Sequence, residues 1–75
     1  MKLKTEKIPQ GPNRNLKAAR VKKGYTQNDI AAKMGLSDTG YKNKENRVSS
    51  FREDEISFLL IEVFPEYTYE ELFLS

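Results

Sequence analysis

TQNDIAAKMGLSDTGYKNKEN, residues 26–46, decides the fold of this 75-residue chain. Thr26 is an N-cap residue and Asp29 stands three positions on, so the pair forms a near capping box. Ile30, Ala31 and Met34 then recur at the spacing that keeps one helical face apolar. Gly35 stops that helix in a residue type that tolerates the left-handed backbone. Ser37 caps a following helix that runs to about Asn46. The stretch therefore predicts two short helices joined by a tight turn at a glycine, the second opened by a serine cap. That arrangement is a helix-turn-helix.

Working outward from it, Asn15 is the expected N-cap of a preceding helix. Leu16, Ala19 and Arg20 share its inner face, and Gly24 ends it. Residues 1–14 hold Pro9, Gly11 and Pro12, with only Leu3 and Ile8 as apolar anchors, and read as a flexible basic N-terminal arm. Beyond the motif, Ser50 with Glu53 spells a capping box. Ile56, Leu59, Leu60 and Val63 form an apolar stripe that stops before Pro65. Thr68 with Glu71 repeats the box ahead of Leu72 and Phe73. No run alternates as a strand would. The expectation is an all-α domain of five helices over residues 15–75, preceded by the arm.

Composition removes several chemistries. The chain contains no cysteine and no histidine. Disulfides, thiolate nucleophiles, imidazole bases and ordinary zinc sites are therefore outside its repertoire. No metal site or cofactor is expected. No run reaches the roughly 18 apolar residues of a membrane span, and the basic start lacks the apolar core of a secretion signal. A cytoplasmic protein without a membrane partner follows as the default. The acids Glu53, Asp54 and Glu55 fall in the first turn of a helix, where its dipole accounts for them. With no phosphate loop or paired nucleophile and base, an enzyme is not expected.

The net charge of +2 conceals a division. Residues 1–47 carry twelve Lys/Arg against four acids, a surplus of +8. Residues 48–75 carry one Arg against seven acids, a deficit of −6. One half is suited to a polyanion and the other is not.

LKAARVKKGYTQNDIAAKMGLSDTGYKNKEN, residues 16–46, resembles the DNA-binding domain of phage Cro/cI repressors and Xre-type regulators. The matching positions are Leu16, Arg20, Gly24, Tyr25, Thr26, Gln27, Ile30, Ala31, Met34, Gly35, Leu36, Ser37, Glu45 and Asn46. Thr68, Glu71, Leu72 and Phe73 are similar to the family's last helix, so the resemblance spans about residues 14–74. It implies a five-helix, lambda-repressor-like domain whose second and third helices form the motif. It also implies that Arg20 and Glu45 point inward and pair, since a lone inward arginine would be costly. Leu16, Ala31, Met34, Leu36, Ile56, Leu59 and Leu60 are read as core.

In that geometry the outer face of the third helix meets base edges in the major groove. Asp38, Thr39, Lys42 and Asn43 are the base-contact candidates, with Ser37 at the cap. Asn43 suits adenine and Lys42 guanine, while Thr39 suits a polar edge or a thymine methyl. Asp38 can accept from cytosine N4 or merely complement the helix dipole. Gln27 carries over from the family as a phosphate ligand that braces the recognition helix. Arg14, Lys17, Lys44, Asn46 and Arg47 flank the same face as further backbone contacts. Lys22, Lys23 and Lys33 read as ordinary solvated charges. The arm either stays a free tail, orders on DNA, or adds a strand to a partner.

Three positions depart from the family pattern. Gly40 costs the third helix about 1 kcal/mol against alanine, which predicts a close neighbour there or a helix completed only on DNA. Arg47 stands where the family ends the helix with glycine, so a different turn into Val48 is expected. Lys44 replaces an apolar residue, which leaves either a thinner core or a lysine lying along it. Phe58, Ile61, Tyr69, Phe73 and Leu74, with Tyr67 nearby, exceed what so small a core can bury. They suggest a homodimer interface and hence a pseudo-palindromic operator on double-stranded DNA. The rival reading is a protein-interaction module, an antirepressor or modulator whose acidic half binds a partner repressor.

Overall fold

The computed structural model describes residues 11–74. Every regular element among them is helical. Helices α1 (Arg14–Lys22), α2 (Gln27–Met34) and α3 (Asp38–Glu45) come first. Helix α4 (Glu53–Phe58) runs without a break into a π-helical turn at Leu59–Val63, and α5 (Tyr69–Phe73) closes the chain. Most of the expected arm, residues 1–10, lies outside the described residues.

Local capping sets the helix starts. The Thr26 hydroxyl accepts from the Asp29 N–H at 3.0 Å, and the Asp29 carboxylate accepts from the Thr26 N–H at 2.8 Å. Thr68 and Glu71 repeat this box at the head of α5. Ser37 accepts from the Gly40 N–H at 2.9 Å. Two starts differ from the sequence reading. Asn13, not Asn15, caps α1: its side-chain oxygen accepts from Leu16 N–H at 3.0 Å, and the residue is buried. The folded unit thus begins two residues earlier than expected. Helix α4 begins after Arg52, not Ser50, and the Glu55 carboxylate accepts the Arg52 N–H at 2.8 Å. Phe51 accounts for the shift, because its ring packs edge-on to both Tyr41 and Phe73 and keeps residues 50–52 out of the helix.

Helix ends follow one pattern. After α1, Gly24 N–H donates to Val21 C=O and Tyr25 N–H to Arg20 C=O. After α2, Gly35 and Leu36 make the same two bonds to Ala32 and Ala31. These are Schellman turns, which need a left-handed residue, and Gly24 (φ 82°) and Gly35 (φ 71°) supply it. Helix α3 ends identically, with Arg47 N–H to Lys44 C=O and Val48 N–H to Asn43 C=O. Its left-handed residue is Arg47, at φ 62°. The turn does not differ as expected; the arginine adopts the glycine conformation instead. The reason is that two carbonyls at the end of α3 gain donors only in this geometry.

The core joins Leu16 and Ala19 of α1, Ile30 and Ala31 of α2, Tyr41 of α3, then Leu59, Val63, Phe64 and Leu72. Helix α2 packs on α3, and α1 on α5. Met34, Leu36 and Leu60, expected inside, are half-buried against its edge, and Ile56, also expected inside, is only half-buried. Phe64 enters the core because the π-helical turn adds a residue to the last turn, with Phe64 N–H reaching Leu59 C=O at 2.7 Å. Lys23 closes that end. Its ammonium donates to Val63 C=O at 2.7 Å, pairs with Glu66 at 3.1 Å and lies over the Phe64 ring. Lys23 is therefore a staple between α1 and the end of α4, not a free solvated charge. Lys33 lies 5.1 Å over the ring of Tyr25.

Candidate nucleic-acid interface

The surface around α3 is organised by a carboxylate that faces the other way. Glu45 is 2% exposed and accepts four hydrogen bonds. Arg20 donates through Nε to Oε2 at 2.8 Å and through Nη2 to Oε1 at 3.2 Å. Tyr41 Oη donates to Oε2 at 2.8 Å, and Gln27 Nε2 to Oε1 at 2.9 Å. Arg20 further donates to Tyr25 C=O. One side chain thereby ties α1, α2 and α3 together. Burial alone would raise the Glu45 carboxyl, but the bonds from Arg20, Gln27 and Tyr41 outweigh it and hold the group below the usual carboxylate range. Burial, reinforced by the neighbouring negative charge of Glu45, pushes the Tyr41 phenol up, so it stays a donor. The hydrogen bond to Glu45 keeps Arg20 firmly charged.

With Tyr41 and Glu45 turned inward, helical periodicity directs Thr39 away from the core and Lys42 to its flank, while Asp38 stands at the open amino end of the helix, and all three are exposed. Asn43 is half-buried, and its carbonyl accepts the N–H groups of Val48 and Ser49. Ser37 is exposed, with its hydroxyl engaged as the α3 cap. The nearest neighbour to a side chain at Gly40 would be that same hydroxyl, 3.0 Å from an added Cβ. The close approach expected at Gly40 thus exists within the motif itself.

The candidates for backbone contact divide. Arg14 and Lys17 are exposed on α1. Lys17 and the half-buried Gln27 line one open groove with Arg20, Val21, Gly24, Tyr25 and Thr26, at the amino end of α2. Gln27 braces α3 through Glu45. Asn46 is half-buried at the C-cap of α3. Arg47 reaches back, its Nη1 lying 3.4 Å from the carbonyls of Gly11 and Pro12. Lys44 goes elsewhere. Its ammonium pairs with Glu55 at 3.0 Å, donates to Ser50 C=O at 2.9 Å and sits over Phe51, leaving the side chain 15% exposed. It covers the core edge as a lysine lying along apolar surface does, and it is not offered to a phosphate.

Sequence reading missed two contributors. Tyr41 fills the centre of the motif; its spacing of four from Glu45 was the available signal. Asn28 was the other. With its amide nitrogen turned toward Asp38, it lies 2.9 and 3.0 Å from the two carboxylate oxygens.

A family model described as helix-turn-helix matches residues 16–60, which is more than half of the chain. The chain belongs to the Xre/cI-type helix-turn-helix family. Membership makes it a DNA-binding regulator in the general sense, and the lambda-repressor-like arrangement of helices agrees with that. No curated protein and no solved structure matches the chain at a significant level. Among the described residues, no helix is long and apolar enough to cross a membrane.

Proposed function

We propose that this helix-turn-helix protein is a sequence-specific transcriptional regulator of the phage Cro/repressor type, acting in the cytoplasm of a bacterial host. The observation that carries the reading is how α3 is held: Tyr41 and Glu45 lock its inner face into the core, while Thr39 and Lys42, with Asp38 at its amino end, stand exposed. A helix held this way presents base-reading groups with little ordering left to do. Ser37, Asp38, Thr39, Lys42 and Asn43 would address bases. Arg14, Lys17, Gln27, Asn46 and Arg47 would hold phosphates. The +8 surplus of residues 1–47 supplies the attraction.

The same reading takes the protein as a homodimer on a pseudo-palindromic site. Ile61, Tyr69 and Leu74 are exposed, and Tyr69 stacks on the half-buried Phe73. These residues lie in the acidic part of the chain, away from the sequence of the motif. A partner repressor bound by that part would use the same side chains.

Fluorescence anisotropy with duplex DNA from the gene's own upstream region tests the function. Affinity should fall log-linearly with salt, by a slope near 0.9 per phosphate neutralised. An absence of salt-dependent binding would leave the partner-protein reading in its place.

A further inference from the structure

We propose that Asn28 is a positioning residue for base readout, holding the Asp38 carboxylate as a fixed acceptor for an amino-bearing base edge, cytosine N4. The proposal rests on the DNA-reading function above.

Asp38 is the first residue of α3 and is exposed. A carboxylate at that place faces a difficulty, since duplex phosphates repel it and its own torsions let it swing away. The structure holds it with a neutral group. With the Asn28 amide oriented so that its nitrogen rather than its oxygen faces the carboxylate, an assignment made because two oxygens would otherwise meet there, that nitrogen lies 2.9 and 3.0 Å from the two Asp38 oxygens. A carboxylate offers about four acceptor positions, so one amide leaves acceptor capacity on both oxygens. Because the partner is uncharged, no lysine or arginine is diverted from the phosphates.

Asn28 is itself well placed for this task. It follows Gln27 in the first turn of α2, and Gln27 is bonded to Glu45 at the far end of α3. Successive residues of α2 therefore grip α3 at both ends, Gln27 at the last residue and Asn28 at the first. The pair fixes the rotamer of Asp38 relative to a braced helix. Preorganised acceptors of this kind discriminate among bases, because a wrong edge leaves them unpaired.

Base preference is the readout, measured by selecting bound duplexes from a randomised library with the full chain. Asp38→Ala should relax preference at one base pair. Asn28→Ala should relax the same pair, by roughly five- to tenfold, with the double variant no worse than Asp38→Ala alone. Both residues are exposed, so melting should not change. A uniform loss of affinity over all sequences in Asn28→Ala would overturn the positioning role while leaving the DNA-reading function intact. An unchanged preference, or relaxation at a different base pair from Asp38→Ala, would do the same. A wild-type protein without sequence preference would overturn both.

Discussion

Arg20 clasps Glu45 through two parallel hydrogen bonds, 2.8 and 3.2 Å long, between the first and third helices. Both residues are buried, so the pair differs from a surface ion pair worth little. Removing one partner strands the other charge and costs about 3–5 kcal/mol. That is most of what a chain of this size has. Arg20→Ala and Glu45→Ala should therefore leave little folded protein by circular dichroism. Arg20→Lys keeps the charge but loses the fork. It should fold with a lower urea midpoint, and an unchanged midpoint would show that the bidentate geometry contributes nothing.

Acid should act through Glu45. Its folded pKa lies below the ordinary value, so its contribution is complete above the unfolded carboxylate pKa of about 4.3 and is lost as pH falls through the depressed value. Tyr41 gives the opposite limb. Its folded pKa is raised, so stability holds below the unfolded value of about 10 and declines as pH rises beyond it. Urea midpoints from pH 3 to 11 should form a plateau with two falling sides. Tyr41→Phe should flatten the alkaline side, and an identical alkaline fall in that variant would contradict the assignment.

Arg47 should show stability and affinity moving in opposite directions. Its left-handed backbone (φ 62°) costs about 1 kcal/mol in a residue with a Cβ. Arg47→Gly should therefore raise the urea midpoint, less whatever the contacts to Gly11 and Pro12 contribute. If the guanidinium also neutralises a phosphate, the same variant should reduce the salt slope of DNA binding by about 0.9.

Lys42 and Lys44 lie two residues apart and should behave differently. Lys44 is committed to Glu55 and Ser50, whereas Lys42 is exposed. Lys42→Ala should alter base preference or the salt slope and leave melting alone. Lys44→Ala should lower the melting temperature and leave the slope unchanged. A reduced slope in Lys44→Ala would mean that the pair with Glu55 opens on DNA.

Self-association should depend on the exposed apolar residues of the acidic half. Ile61 is 66% exposed and Leu74 57%. Ile61→Asp or Leu74→Asp should weaken dimerisation in sedimentation equilibrium without lowering the melting point of dilute protein. A monomeric wild type at micromolar concentration would rule the homodimer out.

The helices themselves were readable because capping is local: Thr26 with Asp29, and Thr68 with Glu71, are bonded as their spacing implies. Arg20 opposite Glu45 followed from the family pattern. What could not be read depends on partners distant in sequence or on backbone register. Nothing near Phe64 announces the wider turn that brings it inside. Lys44 finds Glu55 on another helix, and Phe51 moves the start of α4 by packing between Tyr41 and Phe73. Arg47 shows that the hydrogen bonding of a helix end can override the preference of the residue placed there.

The four-donor environment of Glu45 also bears on how the molecule opens. A helix that could fray alone would exchange its amide hydrogens early, independently of the rest. Here α3 cannot leave without stranding Arg20 and Gln27 at once, and Asn13 N–H would lose Glu45 C=O, 2.8 Å away. Amides of α1, α2 and α3 should therefore exchange as a single cooperative unit, at one shared opening free energy. The recognition helix would then reach DNA as part of a rigid body, and the sites it accepts would be those whose grooves already fit.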